Sequence, residues 1–147
     1  MIRVFIGLVI AIVLMLRASQ AQASYQFQFQ LDGHTIKVHE RDIYLDGAKQ
    51  KVTSISYDDR VYRYDMLGLR FSIAKYDHGA AFLDIYRMKG EPDFSLTIVC
   101  YTKEASKRAK HPGIKVSGKA HDYFVSASEK KPNRKRAKQV ANSLEEV

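Results

Sequence analysis

The chain has 147 residues, a formal net charge of +8 at pH 7 and one cysteine. This length suits one domain with its own hydrophobic core. The single cysteine excludes an internal disulfide framework, and the basic charge points to anionic partners rather than to a particular fold.

The N-terminal segment has the layout of a secretory signal peptide. Arg3 precedes thirteen uncharged residues, Val4 to Leu16, and residues 21–23 read Ala-Gln-Ala. A positive start, a short apolar run and small residues at a cleavage site are typical of such peptides, whereas a spanning helix needs about 20 apolar residues. The sequence therefore predicts cleavage of residues 1–23 and export to the periplasm or the medium. A retained anchor is the alternative, and residues 24–147 are predicted to form a single domain.

Residues 25–40 predict a β-hairpin with Asp32-Gly33 as a two-residue type I′ turn. In that register Phe29 faces Ile36 and the other large apolar side chains share the same face, which a slip of one residue would not achieve. Residues 42–45 and 48–57 predict two more strands around a second Asp-Gly turn, although the alternation in the later run is weak.

Residues 67–101 contain three alternating runs separated by short turns. The runs cover residues 69–76, 81–88 and 94–101. Connections this short favour an antiparallel meander, because a parallel return needs a crossover of a dozen residues or more. Cys100 shares its face with other apolar residues, which is typical of a buried free cysteine.

The C-terminal third changes character. Residues 102–113 allow a short helix before Pro112, and residues 114–116 and 123–127 predict strands. Residues 129–147 predict a helix with Pro132 in its first turn. One apolar stripe follows helical spacing along it: Ala137, Val140, Ala141, Leu144 and Val147.

Together these patterns predict an α+β fold. It consists of a mainly antiparallel β-sheet of about six to eight strands, in hairpins and meanders, with one C-terminal amphipathic helix from about residue 132 packed on it.

Basic side chains are the main candidate for a binding site. Six lie in nine residues at the C-terminal helix: Lys130, Lys131, Arg134, Lys135, Arg136 and Lys138. Three more lie upstream: Lys107, Arg108 and Lys110. Such clusters attract nucleic acid, anionic lipid or acidic envelope polymers. The structural alternative is a solvated helix face that keeps the domain soluble.

Candidates for catalysis and metal binding are weaker. Cys100, His121 and Asp122 supply the residue types of a thiol site, but no hydrolase signature surrounds them. Asp58 and Asp59 form an acidic pair that turn chemistry explains. The sequence contains no His-x-x-x-His pair, no cysteine pair and no calcium loop, so we predict neither a metal nor a cofactor.

The sequence thus favours an exported, non-catalytic binding or accessory module that contacts an anionic partner. The first alternative is a protein-interaction subunit of an envelope or secreted assembly, which uses a sheet edge or the strands that carry Tyr57, Tyr62 and Tyr64. A stacking platform for bases or sugars is a further interpretation of these tyrosines, and half-buried strand residues are the structural one. The last alternative is a small secreted hydrolase.

Overall fold

The computed structural model describes residues 25–56, 59–76, 80–87, 95–110, 112–127 and 131–147. These residues form a mainly antiparallel α+β fold, which confirms the predicted class. The described residues contain twelve strands in two sheets, where the sequence predicted about six to eight strands in one. The predicted signal peptide, residues 1–23, lies outside them.

The smaller sheet has five strands in the order β12-β1-β2-β3-β4. Its strands are β1 (Gln26–Leu31), β2 (His34–His39), β3 (Asp42–Leu45), β4 (Ala48–Lys49) and β12 (Glu145–Glu146).

The larger sheet has seven strands in the order β10-β11-β9-β8-β7-β6-β5. Its strands are β5 (Ser54–Ser56), β6 (Val61–Met66), β7 (Leu69–Tyr76), β8 (Ala80–Arg87), β9 (Ser95–Thr102), β10 (Ile114–Ser117) and β11 (His121–Ala127). Two helices complete the fold: α1 (Lys103–Arg108) and α2 (Lys131–Ser143).

The first hairpin has the predicted register. Phe29 pairs with Ile36 and Phe27 with Val38. Asp32 and Gly33 both have positive φ angles, 49° and 82°, as a type I′ turn requires. The local Asp-Gly signal and the apolar face select the same pairing, which is why the sequence was sufficient here.

A single hydrophobic core lies between the two sheets. Phe27 of the smaller sheet contacts Tyr123 of the larger one, with ring centroids 5.0 Å apart. Each fully buried aliphatic or aromatic side chain contributes about 1.5–3 kcal/mol relative to exposure. The larger sheet supplies much of this core from four neighbouring strands: Phe71, Ile73, Leu83, Ile85, Leu96, Ile98 and Val125.

The run predicted as one strand over residues 48–57 is divided between the sheets. β4 belongs to the smaller sheet and β5 to the larger one, and residues 50–53 lie between them. The backbone N–H of Thr53 already donates to the carbonyl of Arg63, at 2.7 Å, so pairing with β6 begins before β5. The weak alternation of this run reflects the change of partner.

The C-terminal helix is shorter than predicted. α2 buries Ala137, Val140 and Ala141 as expected, but it ends at Ser143. The prediction that Val147 belongs to the apolar stripe is wrong, because this side chain is 58% exposed. Residues 145–147 pair with β1 instead, and the N–H of Val147 donates to Gln26, because the edge of β1 has backbone groups that need partners.

Candidate functional site

The exposed face of α2 carries part of the predicted basic cluster. The helix packs its apolar stripe against β1 and β11. Helical periodicity therefore turns Arg134, Lys135 and Lys138 to solvent, and all three are exposed. We call these three residues the α2 surface. Lys131 is the first residue of the helix, and Lys130 lies outside the described residues.

Arg136 differs from its neighbours because it faces an acidic side chain. Its Nε lies 3.7 Å from Oδ1 of Asp32, in the turn between β1 and β2. Both side chains are partly exposed, so solvent screens this pair and its contribution to stability is small. The helix α2 itself contains no Asp or Glu. Within the described part of the chain, the three residues of the α2 surface make no ion pair.

The upstream basic cluster lies on α1 and in the connection that follows it. Thr102 caps this helix by accepting a hydrogen bond from the N–H of Ala105, at 3.2 Å. Lys107, Arg108 and Lys110 are exposed, and we call them the α1 surface. The first two residues occupy the last turn of α1, where the negative end of the helix dipole favours cations.

A buried carboxylate holds α1 against the sheet. Asp122 is 5% exposed, and its Oδ1 accepts a hydrogen bond from Nζ of Lys103 at 2.6 Å. Lys115 of β10 approaches the other carboxylate oxygen to 3.8 Å. Burial alone would raise the pKa of Asp122, but the hydrogen bonds from Lys103 and Ser106 outweigh it and lower the pKa.

The two basic surfaces lie on opposite faces of the larger sheet. Successive residues of β11 alternate between faces. Asp122 points to the face that α1 covers, whereas Tyr123 and Val125 point to the core, where α2 packs. The larger sheet therefore separates the two basic clusters of the sequence and does not merge them into one patch.

Most of the net positive charge lies in this part of the chain. Residues 103–143 contain twelve Lys or Arg and three Asp or Glu, whereas residues 25–102 contain ten and eleven. The net charge of the whole protein thus arises from the segment that includes both helices. Composition gave the sign of the charge, but the structure shows which faces carry it.

The structure does not assemble the thiol site considered from sequence. Cys100 and His121 share the core-facing side of the larger sheet, but Asp122 lies on the opposite face. Cys100 is 3% exposed, and burial raises the pKa of its thiol far above the usual range, with the nearby carboxylate of Glu146 adding to the effect. Nucleophilic cysteines need the reverse, a lowered pKa and access to solvent.

The carboxylate that faces His121 belongs to Glu146, which sequence reasoning missed. This carboxylate accepts hydrogen bonds from the N–H of Ala120 at 2.8 Å, the N–H of His121 at 3.1 Å and the hydroxyl of Tyr123 at 2.8 Å. Gly118 passes so close that a Cβ atom there would overlap the carboxylate. We call this arrangement the Glu146 clamp.

The clamp connects the two sheets through the C-terminal strand. Burial would raise the pKa of Glu146, but the donors from Ala120, Tyr123 and His121 together lower it. Nδ1 of His121 lies 3.7 Å from the carboxylate, beyond hydrogen-bond distance. No signal in the sequence identified Glu146, because residues 144–147 continue the helical spacing of α2.

The tyrosines of β6 have structural roles. Tyr64 is 3% exposed, and its hydroxyl donates to the carbonyl of Arg41. Burial raises the pKa of Tyr64 to about 12. The guanidinium of Arg41 lies over the ring of Tyr62, 4.9 Å from its centroid. Tyr57 lies outside the described residues, as do Asp58 and the two turns predicted around residues 77–79 and 89–93.

Cavities and metal sites give no further candidate in the described residues. A cavity of about 10 Å³ lies between the sheets beside Tyr25, Phe27 and Cys100, which is room for one water molecule. No group of three His, Cys, Asp or Glu side chains is placed to hold a metal ion. Neither of the helices described is long and apolar enough to cross a membrane.

Comparisons with known proteins found no matching family model, no matching curated protein and no matching solved structure. Function is therefore inferred from the residues of this chain.

Proposed function

We propose that the protein is an exported, non-catalytic binding module that recognises an anionic partner through the α2 surface. One observation carries this proposal: the helix bears five cations and no acid, and the α2 surface is exposed on the side opposite the core. Phosphate, sulfate and carboxylate groups of a polymer or a lipid surface supply the complementary charge.

The position of these cations within α2 supports the proposal. The N-terminal end of a helix carries a partial positive charge, so cations there are unfavourable. Arg134 with Lys138 adds a like-charge pair at i,i+4 spacing. A helix face that only needed to be soluble would be better served by mixed charges. A bound anion offsets both unfavourable terms.

Export is part of the proposal and has its own support. Residues 1–23 have the three parts of a signal peptide. The intact mass of the exported protein tests this directly, because cleavage after Ala23 leaves a chain that starts at Ser24. A mass that includes residues 1–23 would contradict cleavage and favour an anchor.

The test of anion binding uses two variants that lose the same charge. The first variant carries Arg134→Gln, Lys135→Gln and Lys138→Gln. The control carries Lys49→Gln, Lys51→Gln and Arg60→Gln, three exposed cations from the charge-balanced part of the chain. Fluorescence anisotropy measures binding to a labelled oligonucleotide of about 16 nucleotides and to a labelled sulfated polysaccharide, between about 50 and 200 mM salt.

We expect the affinity of the wild-type protein to fall steeply with salt. The α2 variant should lose at least about tenfold in affinity at low salt, whereas the control should lose no more than about twofold. Equal losses in both variants would show that net charge alone attracts the ligand. Binding to none of the anionic probes would indicate that the α2 surface serves solubility and not anion binding.

A second candidate function, a protein-interaction subunit, is favoured by the edge of the larger sheet at β5. Ile55 and Val52 are 44% and 39% exposed at this edge, next to the strand that carries Tyr62. An exposed apolar edge strand can accept a strand from another protein. Ile55→Lys should then weaken an association that changes little with salt, whereas an association that persists unchanged in this variant would exclude the edge.

A further inference from the structure

The α1 and α2 surfaces stand on the two sides of one end of the larger sheet. β11 shows this most clearly, because residues 121–125 are all buried although a strand alternates its faces. α1 covers one side of β11, and α2 with the smaller sheet covers the other. Layers of secondary structure pack about 10 Å apart, so two helices on opposite faces of one sheet are typically about 20 Å apart.

One path between the two surfaces passes over the edge of β10. This strand is the last of the larger sheet on that side, and Ile114, Lys115 and Ser117 are exposed. Lys119, in the turn after β10, is exposed as well. β10 itself carries no acidic side chain. Among the described residues, two carboxylates lie beside the path, and both already have partners: Asp122 accepts from Lys103, and Glu146 accepts from Ala120, His121 and Tyr123.

We propose that the anionic partner is a flexible linear polyanion that wraps around the β10 edge and contacts the α1 and α2 surfaces together. This inference rests on the proposed function and names its substrate class. A flat lipid surface laid against one helix leaves the other helix on the far side of the sheet. A flexible chain of phosphates or sulfates bends around the edge and neutralises both groups of cations.

The test measures how affinity depends on the length of the anionic probe and on the loss of each basic surface. One variant carries Arg134→Gln, Lys135→Gln and Lys138→Gln, and its matched partner carries Lys107→Gln, Arg108→Gln and Lys110→Gln. Neither variant changes Lys103 or Lys115, which contact Asp122. The probes are single-stranded oligothymidylates of about 4 and about 16 nucleotides, sulfated polysaccharide fragments of matched charge, and vesicles containing phosphatidylglycerol.

We expect the long probes to engage both surfaces at once. Affinity for the long oligonucleotide should exceed that for the short one by about 100-fold or more, as for two linked sites. Each variant should reduce the steepness of the log–log salt dependence by about 2, because three phosphate contacts are lost at about 0.7 each. With the short oligonucleotide, each variant should lose only about twofold, since the remaining surface still binds.

The outcomes separate this inference from the proposed function. Salt-dependent binding that the α1 variant leaves unchanged would keep the proposed function but overturn the wrapping. Equal affinity for short and long probes would overturn it as well. Binding to vesicles but to neither polymer would identify a membrane surface as the partner instead. Binding to none of the probes would overturn both proposals.

Discussion

Residues 25–102 and residues 103–143 differ in how their charged side chains are balanced and paired. In the first region cations and acids are balanced and many pair, as Arg70 does with Asp65 at 2.8 Å and Lys75 with Glu40 at 3.3 Å. In the second, twelve cations meet three acids, and the α1 and α2 surfaces face solvent. The apolar faces of the strands in the first region form the hydrophobic core and are needed for folding. The excess of exposed cations in the second region is not needed for folding. The difference locates the candidate function in the helical segment.

Removing a buried side chain from the first region should destabilise the protein most. Phe29 in β1 is fully buried, so Phe29→Ala should cost about 3–5 kcal/mol of the free energy of unfolding. Urea unfolding followed by circular dichroism measures this cost, and Lys49→Ala, at an exposed site, serves as the control with an expected change within about 0.5 kcal/mol. If Phe29→Ala does not fold, Phe29→Leu should still show a smaller loss. An unchanged midpoint in both Phe29 variants would contradict the core position of this residue.

The second prediction concerns the thiol in the same core. Burial raises the pKa of Cys100, and only the thiolate reacts with iodoacetamide. At pH 8 without denaturant, alkylation should be at least about 100-fold slower than in urea, because the buried thiol stays protonated and the reagent cannot reach it. Mass spectrometry over time measures the rate. A comparable alkylation rate in the native protein would show that the Cys100 thiol is accessible, and it would support the hydrolase alternative.

Sequence patterns were most informative where local and tertiary signals agree. The hairpin of β1 and β2 has both an Asp-Gly turn and a one-sided apolar pattern, and its register was predicted pair by pair. Residues 48–57 were predicted as one strand because nothing local marks a change of sheet. Likewise, Leu144 and Val147 continue the helical spacing of α2, and only the open edge of β1 explains why the chain extends after Ser143.

The candidate sites divide in the same way. The basic residues of α2 were found from the sequence, because a charge cluster is visible without a fold. Their relation to the α1 surface was not predictable, since it depends on which face of β11 each helix covers. Glu146 and His121 are 25 residues apart and meet only through β12 and the turn before β11. No spacing rule predicts such a contact.

A smaller effect is expected at the Glu146 clamp, which joins the two sheets near the basic segment. The pKa of Glu146 is lowered in the folded state, so its carboxylate stabilises the protein above the unfolded pKa of about 4.3. That stabilisation is lost as the pH falls through the folded pKa. Glu146→Gln should therefore cost about 1–3 kcal/mol at pH 7, because its amide cannot accept from all three donors, and progressively less in acid.

Urea unfolding of the wild type and the Glu146→Gln variant across pH 3–7 measures this difference. Glu145→Gln is the matched control, because Glu145 is exposed and its carboxylate accepts, within the described residues, only from the Gln28 side chain. The control should change the free energy of unfolding by less than about 0.5 kcal/mol at every pH. A difference between wild type and Glu146→Gln that does not vary with pH would show that the charge of the carboxylate is not what stabilises the clamp.

The cations of the two helices should affect stability only slightly, and in opposite directions. Arg134 of the α2 surface lies in the first turn of its helix, at the positive end, and forms a like-charge pair with Lys138, whereas Lys107 and Arg108 lie at the negative end of α1. Replacing Arg134, Lys135 and Lys138 with Gln should therefore raise the free energy of unfolding by about 0.5 kcal/mol at low salt. The matched replacement of Lys107, Arg108 and Lys110 should lower it by a few tenths of a kcal/mol. Both changes should shrink at about 1 M salt, where charges are screened beyond about 3 Å.

Unfolding curves of the two variants at both salt concentrations measure these changes. If the α2 variant gains stability while it loses anion binding, the cations of the α2 surface destabilise the fold and serve binding instead. If the α2 variant loses stability, its cations stabilise the fold and need no ligand to explain them.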